Sequence, residues 1–198
     1  MARKVALLTA AVVVLTAFGI GQAGATSPVP AGAISCTFSA GSMSVKPGLG
    51  ATPNPKQEKI KSIILTAGTA CDNSGVTPGT SKFPISAMSV KISAKTPVNG
   101  DCNTLLSAPG LTGKVQVKFW GLNPANKLAT VAVVNTTIAT TTASSAPPSM
   151  QITTAPSLKG AFVGQTLTFT LNISGLTGGC TDASPLTGVS GSGTVTSP

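Results

Sequence analysis

Cysteines, carboxylates and lysines are the side chains of this sequence with the most scope for chemistry, because histidine is absent and the only arginine is Arg3. Without histidine, neither a Ser-His-Asp nor a Cys-His nucleophilic site can form, and histidine zinc sites are excluded. The four cysteines lack Cys-x-x-Cys spacing, which argues against a thiolate metal cluster or a thioredoxin-like redox site. The sequence therefore predicts no histidine-based or thiolate-based site.

The carboxylates are few, and most of them lie in turn-like sequence. Asp72, Asp101 and Asp182 each lie within two residues of a cysteine. Two carboxylates suffice for glycoside hydrolysis, but this context favours turn residues that bond local backbone amides. Asp72 and Asn73 offer oxygen ligands for calcium, yet their spacing fits no calcium loop. We predict that the protein is not an enzyme and holds no metal or cofactor.

The four cysteines predict two disulfides, since an even number in an exported chain is typical of paired thiols. Four cysteines allow three pairings, and composition and spacing do not choose among them. A weak internal similarity favours one pairing. Residues 65–72 and 173–182 both run from a strand into a small-residue turn, a Cys and an Asp. If the two halves of the chain correspond, Cys36 is related to Cys71 as Cys102 is related to Cys180. We therefore predict the pairs Cys36–Cys71 and Cys102–Cys180.

Residues 1–25 have the pattern of an export signal. A basic start precedes an uncharged, mostly apolar run at residues 5–20, and Ala23-Gly24-Ala25 provides a small-x-small cleavage site. The apolar run is shorter than the roughly 20 residues that span a bilayer as a helix. We expect cleavage after Ala25, a secreted or cell-envelope location, and a mature chain that is not an integral membrane protein.

Lysine dominates the charge of the predicted mature chain, which has eleven lysines against four carboxylates and no arginine. Lysines attract anionic polymers as point charges but lack the bidentate fork with which arginine binds phosphate or guanine. We therefore predict no sequence-specific nucleic-acid binding, and the candidate partners are an anionic cell-envelope polymer or lipid head groups. Alternatively, the lysines only keep exposed strands soluble and block edge pairing. The candidate contact residues are Lys91, Lys95, Lys114, Lys118 and Trp120.

The clearest structural element is the stretch from Lys114 to Trp120. Its positions alternate between polar and apolar residues as far as Phe119, which is the period of a half-buried β-strand. The only tryptophan follows Phe119 directly, so one of these two aromatic side chains must leave the common face. Trp120 then either caps the end of the core or stands partly exposed as a ligand contact.

Repeated alternating segments predict an all-β fold, with one short helical turn at residues 102–106. Residues 167–173 show the second-clearest alternation, and turn-forming residues separate the strands. We predict an immunoglobulin-like antiparallel β-sandwich of roughly eight to ten strands with two disulfides. Residues 26–33 are expected to form a flexible leader and residues 34–198 a single domain.

Parts of the sequence resemble small, uncharacterised secreted proteins of actinobacteria. The likeness covers most of the mature chain. It is carried by the signal, Ile34-Ser35-Cys36-Thr37, residues 100–106, the strand at 113–120 and the closing residues 191–196. The resemblance implies an exported β-sandwich with paired cysteines, and it implies no catalytic or binding residue.

The sequence thus predicts an exported, non-catalytic protein that binds a cell-envelope component or an extracellular partner. A small-ligand carrier with a pocket at one end of the sandwich is one alternative. A subunit of an oligomeric β-barrel pore is another, but the strands predicted near 115–119 and 128–140 are short for a lipid face, and lysines mark the first of them. The oligomeric state and the identity of the partner are left open.

Overall fold

The structure is a computed structural model that describes residues 31–64, 69–72, 74–76, 84–159 and 161–198. The predicted signal at 1–25 and residues 26–30 of the predicted leader lie outside these ranges. Within them, the chain forms nine β-strands and one short helix. The strands are β1 (Ser35–Leu49), β2 (Lys59–Ile64), β3 (Thr69–Asp72), β4 (Ile85–Lys95), β5 (Thr112–Leu122), β6 (Leu128–Ser145), β7 (Pro148–Thr154), β8 (Thr168–Thr177) and β9 (Leu186–Thr196), and the helix is α1 (Cys102–Ser107).

The strands form a closed antiparallel barrel of eight strands, in the order β1-β2-β4-β5-β6-β7-β8-β9 and back to β1. The long strand β1 closes the ring because it pairs with β9 along one side and with β2 along the other. Residues 41–46 of β1 pair with β2, whereas residues 35–38 pair with the short strand β3. Strand β1 therefore closes the ring by linking β2 to the last strand, β9.

The predicted all-β class is confirmed, but the predicted immunoglobulin-like sandwich is wrong. A sandwich needs two separate sheets, and here the pairing of β1 with β2 and β9 leaves a single sheet that curves onto itself. Alternation of apolar and polar residues is the same in both architectures, because each buries one face of every strand. The strand pattern alone could not distinguish them.

The barrel interior is filled with side chains. On β5, Val115, Val117 and Phe119 point inward and are at most 1 % exposed, as the alternation predicts. Met88 on β4 and Met150 on β7 also lie in the interior. A cavity of about 30 Å³ lies beside Met150 and has room for about one water molecule. The inner face of the barrel is thus a packed core.

Both ends of the barrel are covered by chain segments between strands. Helix α1, between β4 and β5, buries Leu105 and Cys102 at one end. Asp101 caps this helix by accepting a hydrogen bond from the Thr104 N–H at 2.6 Å. At the other end, the segment between β7 and β8 inserts Phe162, which is 1 % exposed and lies edge-on to Phe119 with ring centroids 5.1 Å apart.

Two disulfides tie these elements together, and the predicted pairing is confirmed. Cys36 and Cys71 face each other across β1 and β3. Cys102, the first residue of α1, is bonded to Cys180 in the loop between β8 and β9. Disulfides of this kind are characteristic of an oxidising, extracellular environment.

Candidate functional site

Seven lysines gather on the outer surface of the first four strands of the barrel. They sit at alternate positions whose neighbours point into the core, so all of them face outward. Six are exposed and one, Lys118, is half-buried. We call this surface the lysine face, and it consists of Lys46 on β1, Lys59 and Lys61 on β2, Lys91 and Lys95 on β4, and Lys114 and Lys118 on β5.

Strand register arranges these lysines in rows across the sheet. Lys46 is paired with Lys59, and Lys59 is paired with Lys95, so three ammonium-bearing side chains stand directly opposite one another. In the next row, Lys61 and Lys114 flank Ser93. Neighbouring strands lie about 4.8 Å apart, and like charges directly opposite each other are destabilising. The barrel therefore carries a local excess of positive charge at a cost to its own stability.

A shallow trough of about 390 Å³ runs between the two rows. Lysines of both rows line it, and Ile60, Ala94 and Gly113, which lie between the rows in the strand register, form its floor. A Cβ atom on Gly113 would come within 2.3 Å of the Ser93 carbonyl oxygen, so only glycine lets β5 approach β4 this closely. The trough is therefore a shallow groove flanked by lysines.

Trp120 lies on the same outer surface, two residues beyond Lys118. It is half-buried, and its Nε1–H donates a hydrogen bond to the Ser89 hydroxyl at 3.2 Å. Phe119 points into the core, so it is Trp120 that leaves the common face of β5. The ring is neither a core residue nor a freely exposed one. Its role as a ligand contact stays a prediction.

The carboxylates have hydrogen-bond partners other than the lysines. Glu58 is 2 % exposed and accepts a hydrogen bond from the Asn54 amide, and burial raises the pKa of this carboxyl. Asp101 caps α1, where the Thr104 N–H lowers its pKa. The remaining two carboxylates, at the end of β3 and in the loop between β8 and β9, also accept hydrogen bonds. Among the described residues, no ion pair links any carboxylate to the lysine face.

Asp72 and Asp182 have structural roles. Asp72 accepts a hydrogen bond from the Ser74 N–H at 2.9 Å, and this bond lowers its pKa. Asp182 accepts bonds from the Thr52 hydroxyl and from the Thr52 N–H, and the hydroxyl bond is the larger cause of its lowered pKa. Asp72 and Asp101 thus bond nearby backbone amides, as their sequence context predicts, whereas Asp182 bonds a residue 130 positions earlier in the chain.

The structure brings together all the predicted contact residues and adds three that sequence reasoning missed. Lys91, Lys95, Lys114 and Lys118 share one surface with Trp120. Lys46, Lys59 and Lys61 join them because β1 and β2 pair beside β4. The alternation Lys59-Ile60-Lys61 predicts that both lysines lie on the same face of β2. It does not predict that β2 pairs with β4, which is what places them beside the β4 lysines.

In the described ranges, the chain has no helix with the length and apolarity needed to cross a bilayer. The comparisons with protein-family models, with curated proteins and with solved structures found no match to this chain.

Proposed function

We propose that this protein is an exported, non-catalytic binding protein whose lysine face holds a linear anionic polymer of the cell envelope. The observation that carries the proposal is the row formed by Lys46, Lys59 and Lys95, with Lys61 and Lys114 in the row beside it. Lysines that served solubility alone would be spread around the barrel, because opposed like charges destabilise a sheet. Their concentration on four neighbouring strands instead supports a polyanion ligand.

The chemistry of the face favours a repeating phosphate or carboxylate polymer over a base-specific nucleic acid. Lysine binds such groups as a strongly hydrated point charge, without a required geometry. Lysines in the same row on neighbouring strands are about 4.8 Å apart, and Lys59 and Lys61 on β2 are about 7 Å apart. The lysine pairs on β4 and on β5 are four residues apart, which is about 13 Å. A flexible chain with one charge per repeat can meet several of them at once.

The packed interior also supports a role for the outer surface. The cavity of about 30 Å³ inside the barrel is far below the several hundred Å³ that small-molecule sites occupy. The carrier and pore alternatives stay predictions, and this small cavity favours neither.

The proposal is tested by measuring how binding of poly(glycerol phosphate) to the secreted protein depends on salt. For a flexible polyanion, the logarithm of the binding constant falls with the logarithm of salt concentration by about 0.7 per lysine–anion contact. With about five contacts, affinity should fall roughly 100-fold between 50 and 200 mM NaCl. Neutral dextran is the control polymer. No binding to the anionic polymer at 50 mM NaCl, or equal binding to dextran, would refute the proposal.

Anionic lipid vesicles distinguish a polymer ligand from the lipid head groups that share its charge. We expect the soluble polymer to compete the protein off vesicles that contain phosphatidylglycerol. Tight vesicle binding that the polymer does not displace would assign the lysine face to a membrane surface.

A further inference from the structure

One stretch of β6 lacks a strand partner on one side. Its first half, from Leu128 to Thr137, pairs with β5, but the ladder to β7 begins only at Ile138. Beyond that point β7 ends at Thr154, and the chain turns away into the segment before β8. Among the described residues, no strand pairs with residues 128–136 on the β7 side. This stretch is an open edge within an otherwise closed barrel.

The backbone groups that face this edge can be identified from the register. The Thr137 carbonyl accepts from the Ala155 N–H, so the backbone of Thr137 faces the β7 side. Alternate residues of an antiparallel strand turn the same way, so Val133 and Asn135 face it too. A bulge at residue 131 inserts one extra residue into the alternation. Before the bulge it is therefore Thr130 and Leu128 whose backbone groups face the open edge.

Apart from the bulge at residue 131, the open edge lacks the features that commonly protect edge strands from pairing. Exposed edges usually carry lysine, proline or a short strand, and the 18 residues of β6 include neither a charge nor a proline. Thr130, Val131, Val133 and Val134 are β-branched, which favours strand pairing. By contrast, β2, β4 and β5 carry the lysines.

Exposed apolar side chains surround the same edge. Leu122 and Leu128 are paired at its start and are each 49 % exposed. Leu158, which is 86 % exposed, lines a groove of about 590 Å³ together with Asn135 and Pro156. Val163, on the same segment as Leu158, is 58 % exposed. Apolar patches of this kind mark interaction surfaces.

We propose that the edge of residues 128–136 pairs with the same edge of a second copy of this chain, forming a two-fold symmetric dimer. The antiparallel register that places Leu128 opposite Asn135 of the other copy also places Thr130 opposite its Val133. All four of these residues direct their backbone groups to the edge and their side chains outward. This register therefore places the backbone groups of the two copies opposite each other and keeps the paired side chains on the outer surface. It also brings each exposed Leu128 to the Leu158 groove of its partner.

The length of the edge supports a second copy as the occupant. The edge strand itself is uncharged, and the lysines that flank the contact, Lys127 before the strand and Lys159 in the groove, are exposed, so salt screens their repulsion. An eight-residue strand pairing is roughly 26 Å long. With the flanking apolar residues, it buries on the order of 1,000 Å², the low end of specific interfaces. We therefore expect a dissociation constant in the micromolar range.

The dimer would enlarge the lysine face. Pairing through the β6 edges about a two-fold axis perpendicular to the sheet keeps the outer surfaces of both copies on the same side. The two lysine faces then form one basic surface, with a higher avidity for a long polymer than either face alone. This last consequence rests on the proposed function, whereas the dimer itself does not.

Sedimentation equilibrium of the secreted protein, from about 1 µM to about 500 µM, tests the dimer without any polymer. We expect a monomer–dimer equilibrium that Val133→Pro abolishes. The Val133 N–H faces the open edge, so proline there removes no bond to β5. Leu128→Lys and Leu158→Asp should each weaken the dimer at least tenfold. The double variant Leu128→Lys/Leu158→Asp should regain most of the loss, because the new charges attract across the two-fold axis.

The matched control is Val98→Asp, a substitution at a residue that is 57 % exposed and lies in the connection between β4 and α1, outside the β6 edge. It should leave the dimer unchanged, and thermal melts should show that all variants fold. A protein that stays monomeric throughout this range would overturn the proposal. So would a dimer unaffected by Val133→Pro, or a double variant weaker than either single variant. Polymer binding by a monomeric protein would leave the proposed function intact while removing the dimer.

Discussion

Lys59 stands between two other lysines, and its replacement by glutamine should make the protein more stable. It is paired directly with Lys46 on one side and with Lys95 on the other. Directly opposed like charges cost roughly 0.2–1 kcal/mol per pair relative to neutral pairs. Removing two such pairs should stabilise the barrel by about 1 kcal/mol, which raises Tm by roughly 2–4 °C for a domain of this size.

The gain should depend on salt, since screening weakens repulsion between exposed charges. The Debye length falls from about 10 Å at 0.1 M to about 3 Å at 1 M ionic strength, which is less than the spacing of neighbouring strands. Scanning calorimetry at 20 mM and 1 M NaCl should therefore show a higher Tm for Lys59→Gln only at low salt. Lys127→Gln changes an exposed lysine in the β5–β6 connection and is the matched control.

The same substitution should weaken binding of the anionic polymer and lower its salt slope by about 0.7. Greater stability with poorer binding is the signature of a charge row retained for a ligand. The reasoning is refuted if Lys59→Gln leaves Tm unchanged at low salt, if the gain persists at 1 M salt, or if Lys127→Gln produces the same gain.

Three further predictions concern the core, the buried carboxyl and the helix disulfide. Phe162→Ala should destabilise the barrel by about 3–5 kcal/mol in urea unfolding, because it empties the covered end beside Phe119, whereas Val98→Ala should have little effect. Glu58→Gln should stabilise the protein at pH 7 but not at pH 4. The reason is that the folded pKa of Glu58 lies above its ordinary 4.5, so this carboxyl contributes stability below 4.5 and loses it as pH rises through the folded pKa. A pH-independent difference in urea unfolding would contradict this. Cys102→Ser/Cys180→Ser removes the disulfide between residues that are 78 positions apart and should lower the free energy of unfolding by about 4 kcal/mol. An unchanged urea-unfolding midpoint would argue against the chain-entropy explanation.

The sequence was informative where local pattern decides structure. The alternation from Lys114 to Phe119 predicts which β5 side chains are buried, because side chains of a strand alternate between its faces. The sequence similarity between the two cysteine-containing turns favours the observed disulfide pairing, and the sequence DCNTLL at 101–106 predicts the short helix. Each of these depends on residues close together in the chain or on a repeated local motif.

Features that depend on strand partners could not be predicted in the same way. Closure of the barrel rests on β1 pairing with β9 across 137 to 161 residues of sequence, for which no local pattern exists. The row of Lys46, Lys59 and Lys95 requires the register of three strands, and a shift by one residue would move the middle lysine to the core face. The open edge of β6 likewise depends on where its ladder to β7 begins.

The most direct test of the central claim is NMR mapping of the surface that the anionic polymer contacts. Titration of poly(glycerol phosphate) at 50 mM NaCl should shift the amide signals of Lys59, Lys61, Lys95 and Lys114, and of the trough floor between them. Signals from the outer faces of β7, β8 and β9, strands that carry no lysine, should stay in place. Shifts centred on β7–β9, or no localised shifts at saturating polymer, would contradict the assignment of the lysine face as the binding surface.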